Sequence, residues 1–179
     1  MLNVENTVFL MIDIQEKLVN MLKNSMEIAN NNAILAKTAQ IMGVPVILTE
    51  QYPQGLGSTV LSVKSFVDGA NIFEKTTFSA LKVEEIKAKL EETGKKNVVL
   101  TGIESHICVY QTARELIEAG YNVFVVKNAC ASRSKKDYRT ALELMRDYGV
   151  KLTCVETVLF ELLESSKNPH FREVQLLIK

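Results

Sequence analysis

At 179 residues the chain is about one domain's worth of polypeptide, long enough to bury a core without disulfides or structural metals. Its 21 basic and 21 acidic side chains cancel, so it lacks the electrostatic footprint that phosphate-backbone binding requires, which argues against a nucleic-acid partner. Apolar residues make up 47% of the chain but fall in short runs such as Val8–Ile12 and Val123–Val126, far below the ~20 needed to span a bilayer. No basic segment precedes the first apolar stretch, and Asp13 interrupts it, so neither a signal peptide nor a membrane partner is expected. Cys108, Cys130 and Cys154 are widely spaced and odd in number, which suits a reducing, cytoplasmic location better than a disulfide framework or a thiolate zinc site.

In chain order, β-branched runs alternate with stretches of helical period, the pattern of βαβ units around a parallel sheet. Strands are predicted at Thr7–Asp13, Val44–Thr49, Ala70–Glu74, Asn97–Gly102, Tyr121–Lys127 and Lys151–Val155. Helices are predicted at Ile28–Met42 (stopped by Gly43), Val83–Thr93, Ser105–Ala119, Lys135–Tyr148 and Thr157–Glu164. A terminal helix through Ile178 follows, with Asn168 as its cap and Pro169 in its first turn. Glu50–Gly69 loses periodicity and reads as a long ordered loop, a length that usually carries function. There is no repeat, linker or low-complexity segment, so the expectation is one α/β domain over 1–179: a doubly wound, mainly parallel six-stranded sheet with helices on both faces.

Such a sheet places its chemistry at the carboxyl ends of its strands. Asp13 closes the first strand, Lys75 follows the third, and Cys108 lies just after the fourth. At the start of a helix capped by Ser105, Cys108 should have a lowered thiol pKa, and a nearby Lys75 ammonium would lower it further. Taken singly, each residue has a plainer reading: a buried hydrophobic thiol, a loop-capping carboxylate, a solvated lysine. Together on one rim they form the parts of an activated-nucleophile site. Gly55-Leu56-Gly57 lacks the ending of a phosphate loop, and no GxSxG elbow is present. Two histidines, His106 and His170, cannot build a histidine-rich metal centre, and no cofactor is implied. The basic group Arg133, Lys135, Lys136 and Arg139 reads as a solvated helix flank.

Three segments resemble motifs of the isochorismatase-like cysteine hydrolases: Phe9-Leu10-Met11-Ile12-Asp13-Ile14-Gln15, Lys75-Thr76-Thr77-Phe78-Ser79, and Gly102 to Thr112 around Cys108. Thr49 to Gly57 and Gly102 to Val109 are most similar to the isochorismatase-domain-containing subgroup. The resemblance implies Cys108 as nucleophile, Asp13 as general base and Lys75 as supporting cation. It further implies a cis peptide at Ile103–Glu104 and an oxyanion hole formed by the Glu104 and Cys108 N–H groups. Leu18, Gln51 and Phe78 are candidate pocket residues by their nearness to these motifs. The family's metal-dependent members carry Asp-x-His after the second strand, where this chain has Glu50-Gln51-Tyr52, so no metal is expected. An intact Cys108 favours acyl over vinyl-ether chemistry, giving a small amide or related acyl compound as expected substrate. Alternatives are vinyl-ether hydrolysis of an isochorismate-like substrate, a non-catalytic binding or scaffold protein, a flavodoxin-like cofactor binder, and a redox sensor using Cys108. A homo-oligomer is expected from the resemblance and from the apolar residues Phe171, Val174, Leu176, Leu177 and Ile178, which could equally dock on their own chain.

Overall fold

The computed structural model describes residues 1–179. The strands β1 (Thr7–Ile12), β2 (Val46–Gln51), β3 (Ile72–Lys75), β4 (Asn97–Ile103), β5 (Asn122–Ala131) and β6 (Lys151–Thr153) form one sheet in the order β3-β2-β1-β4-β5-β6. Every pairing in it is parallel. The order reverses between β1 and β4, the crevice position where doubly wound sheets bind ligands.

Both sheet faces are covered, which is why the strands read as continuous apolar runs rather than alternating ones. Phe9 and Met11 of β1 join Val99 of β4 and Phe124 of β5 on one face. There they meet Leu35, Ala36 and Ala39 of α2 (Ser25–Met42) and Val158, Leu159 and Leu162 of α8 (Val155–Leu163). Val8, Leu10 and Ile12 point to the opposite face. That face is covered by Ile86 and Leu90 of α5 (Glu84–Glu92), Ala113 and Leu116 of α6 (Tyr110–Glu118), and Ala141 and Met145 of α7 (Lys135–Asp147). Helix α2 ends at Gly43, whose φ of 68° closes the helix in the left-handed conformation.

Several expectations are corrected. The Glu50–Gly69 segment holds two one-turn helices, α3 (Pro53–Leu56) and α4 (Leu61–Lys64), and β2 runs on to Gln51. A short helix α1 (Glu16–Asn20) precedes α2, which begins at Ser25. Strand β5 extends past Lys127 to Ala131 because its register with β4 jumps: Leu100 faces Val125, but Gly102 faces Cys130. The expected helix from Ser105 begins instead as a π-type turn over Ser105–Val109, where Val109 N–H reaches back to the Glu104 carbonyl at 3.3 Å. Ser105 does not cap it; its hydroxyl donates to the Ala131 carbonyl at 2.9 Å. The last helix, α9, spans only Phe171–Leu176, and Asn168 accepts from His170 N–H instead of capping it. Val174 is buried, and Phe171 and Ile178 pack on the α2–α8 face, so most of this apolar segment serves its own chain; Leu176 stays 67% exposed.

The β1–β4 crevice depends on Gly102. Its φ is 137°, and a Cβ there would run into the Ile12 carbonyl oxygen. Gly102→Ala should therefore lower the stability by at least ~2 kcal/mol, read as a shift in the urea midpoint at unchanged slope. An unchanged midpoint would show that the two strands can separate without cost.

Candidate active site

Asp13 is the first residue after β1 and takes a positive φ of 53°, which Asp tolerates better than most side chains. Its backbone N–H donates to the Thr49 carbonyl of β2 at 3.1 Å. The carboxylate is fully buried and both oxygens are engaged. Oδ1 accepts from the Thr49 hydroxyl at 2.6 Å, and Oδ2 accepts from Lys75 Nζ at 2.7 Å. Neither side chain of the ion pair is exposed to solvent at all (0% each).

Lys75 ends β3, two strands away from β1 in the sheet. Besides Asp13, its ammonium donates to Gln51 Oε1 at 2.7 Å and to the Thr77 and Phe78 carbonyls at 3.2 Å. Burying a charge is costly unless it is paired and hydrogen-bonded, and these acceptors satisfy the ammonium. Gln51 and Phe78 thus serve the lysine directly: Gln51 through its side chain, Phe78 through its carbonyl, while the Phe78 ring is 55% exposed. Leu18 packs against the α2–α8 core.

Cys108 lies in the π-type turn after β4 and is buried. The Ile103–Glu104 peptide bond is cis. Burial pushes the Cys108 thiol up to about 12; the Lys75 ammonium pulls it down, the Asp13 carboxylate pushes it up by charge and by hydrogen bonding, and the Glu104 N–H pulls it down. The expected low-pKa thiolate is corrected accordingly: desolvation outweighs both the helix start and the lysine. Asp13, Lys75 and the Glu104 N–H are thus the groups near enough to act on the thiol.

Sequence reasoning missed four supports. Thr49 holds Asp13, and a buried Thr at a strand end gives no pattern to read. Gln15 locks the long loop: its side chain accepts from Gln51 N–H at 2.6 Å and donates to the Gln51 and Gly57 carbonyls at 3.0 and 2.7 Å. Glu50 anchors the same loop by accepting from Thr59 N–H at 2.7 Å and from Ser58 at 3.1 Å. Burial raises the Glu50 carboxyl, but its bonds to Thr59 and Ser58 and the charge of Lys64 outweigh this and hold it below its ordinary 4.5. On the neighbouring turn the Glu104 carboxylate, also missed, accepts from Arg133 N–H at 3.1 Å, with His106 Nδ1 at 3.4 Å and Arg133 Nε at 3.6 Å.

The isochorismatase domain model matches residues 7–157, which contain this whole constellation. The chain belongs to the isochorismatase-domain family. It is 40% identical over 175 residues to isochorismatase domain-containing protein 1 of Danio rerio, covering 97% of this chain but 61% of that relative's length. A solved structure described as the MAR1 ribonuclease from Caenorhabditis elegans superimposes with a TM-score of 0.93 at 39% identity, over 99% of this chain and 91% of that one. The YcaC gene product of Escherichia coli, described as an octameric hydrolase of unknown specificity, shares the fold at a TM-score of 0.90 and 24% identity, over 99% and 94% of the two chains. This isochorismatase-domain protein thus carries that family's fold, and no helix in it is long and apolar enough to cross a membrane.

Two outcomes follow from the buried pair. Lys75→Met should cost ~3–5 kcal/mol by stranding the Asp13 charge, with much of that recovered in the double variant carrying Asp13→Asn, as read by chemical unfolding. Iodoacetamide labelling of Cys108, resolved by peptide mass, should rise with pH only well above the ordinary thiol value of 9.0, toward about 12. Asp13→Asn removes an upward influence and should move that profile to lower pH. A Cys108 that labels rapidly at neutral pH would show that desolvation does not dominate.

Proposed function

We propose that the protein is a metal-independent cysteine hydrolase that cleaves a small amide or related acyl bond through a thioester on Cys108. The observation that carries the reading is the buried Asp13–Lys75 pair, bonded at 2.7 Å, whose two charges both act on the buried Cys108 thiol. A thiol pushed up to about 12 is protonated at neutral pH, so its proton must leave as the sulfur attacks. Asp13 is the base that takes it, and Lys75 balances the charge that then resides on the sulfur.

In the first half-reaction the S–C bond forms and the carbonyl oxygen becomes an oxyanion, held by the Glu104 and Cys108 N–H groups. Each such donor is worth about 3–4 kcal/mol in comparable sites. The C–N bond then breaks, and the proton held by Asp13 passes to the leaving amine. In the second half-reaction Asp13 deprotonates water, which attacks the thioester and releases the acid and the Cys108 thiol. The metal-independent assignment rests on the residues that end β2: Glu50 is committed to Thr59 and Ser58, and Gln51 to Lys75. The reading extends to a cytoplasmic homo-oligomer, supported by three free cysteines, by Tyr52 and Phe78 standing 57% and 55% exposed in the segments that flank Lys75, and by the octameric relative.

A second reading takes the ribonuclease name of the 39% identical neighbour as its support: phosphodiester cleavage, with Asp13 as base and Lys75 as cation. In RNA the attacking group is the substrate's own 2′-hydroxyl, so a thiol nucleophile is not needed. Cys108→Ala separates the two. On a panel of small amides it should cut turnover by on the order of 10⁴-fold or more, with the melting temperature little changed. Full retention of amide hydrolysis would end the thioester mechanism, and RNA cleavage that survives the substitution would favour the second reading.

A further inference from the structure

A cavity of about 810 Å³ opens beyond the carboxyl end of β5, and none of its walls is Asp13, Lys75 or Cys108. It falls within the ~300–1,000 Å³ range of small-molecule sites. Its rim carries Lys23, Lys127 and Lys135. None of the three takes part in a salt bridge, whereas the rim's Arg133 is already engaged by Glu104. Glu27 is the one acidic residue among the walls. In a chain whose 21 basic and 21 acidic groups cancel, this local excess is a departure from the rest of the surface, and like charges around one concavity repel unless an anion joins them. The walls also include apolar surface: Ile28, Ala131 and Leu142, with the Tyr138 ring, whose hydroxyl is turned to the Lys127 carbonyl at 2.8 Å. Two helices, α2 and α7, begin at this opening, with Asn24 and Lys135 in its wall, and their N–H ends add to the positive potential.

We propose that this cavity is a second ligand site, separate from Cys108, that takes a small organic anion with an apolar body and a phosphate or paired carboxylate head. The three lysines hold the head at the rim, and the body lies on Ile28, Leu142 and Tyr138. A phosphate ester and a dicarboxylate share this chemistry, and competition between the two distinguishes them.

Cys154 lies in the wall of the cavity and is partly exposed, so it serves as a reporter of occupancy in the 179-residue chain. Phenyl phosphate is the probe, with inorganic phosphate and benzyl alcohol as controls for head and body alone. Alkylation of Cys154, followed by peptide mass, should slow saturably with phenyl phosphate, less with either control, and Cys108 should be unaffected. The triple variant Lys23→Gln, Lys127→Gln, Lys135→Gln changes exposed side chains only. It should keep its melting temperature and weaken the protection on the order of tenfold or more, as expected when charge-assisted contacts are lost. Cys108→Ala should leave the protection intact, so a dead catalytic site and an absent second site are told apart. The proposal is overturned if Cys154 is not protected, if the lysine variant is protected equally, or if Cys108 is the residue shielded. Protection by a short single-stranded RNA but not by phenyl phosphate would equally overturn it, assigning the rim to nucleic acid.

Discussion

The ion pair between Asp13 and Lys75 is the constraint around which the carboxyl edge of the sheet is built. Two opposite charges with no solvent exposure face a desolvation penalty of several kcal/mol per ion, and their mutual attraction offsets it only when the remaining donors and acceptors are also satisfied. Here they are. The ammonium reaches two side-chain oxygens and two carbonyls, and the carboxylate receives the Thr49 hydroxyl as well as the lysine. A pair of apolar residues would fill the same space at lower cost, so stability alone does not account for the charges.

Holding that pair requires the strands and the long loop to be fixed together. β1 supplies the carboxylate, β2 the Thr49 and Gln51 partners, and β3 the lysine, three adjacent strands in one register. The loop after β2 is tied down by Gln15 and by Glu50, whose carboxylate is bound by backbone and hydroxyl donors. On the other side of the crevice, Gly102 lets β4 approach β1, and Glu104 ties the cysteine turn to the segment after β5. Each support acts on a different member of the constellation, so the geometry is held from several directions.

The state of Cys108 shows which of two opposing effects wins. A cysteine near a helix start with a lysine close by suggests a thiolate, but a buried sulfur loses hydration that neither influence restores, and the neighbouring carboxylate adds repulsion. In the proposed mechanism, a protonated resting thiol makes the proton acceptor as important as the nucleophile. It also protects the sulfur from indiscriminate oxidation, since thiolate character governs that chemistry.

The amino-acid sequence by itself determined the order of the six strands and of the helices α2 and α5 to α9, the parallel doubly wound class, and the position of Asp13, Lys75 and Cys108 at strand ends. These follow from local periodicity and from where an apolar run stops, both properties of neighbouring residues. The tertiary structure alone decided the π-type turn at Ser105–Val109, the register jump that lengthens β5, and the roles of Thr49, Gln15, Glu50 and the Glu104 carboxylate. It also turned Gln51 and Phe78 toward the lysine, gathered three unpaired lysines around one cavity, and set the protonation of Cys108. Each of these depends on which residues distant in the chain come within a few ångströms, and on how much water they exclude, which no local pattern encodes.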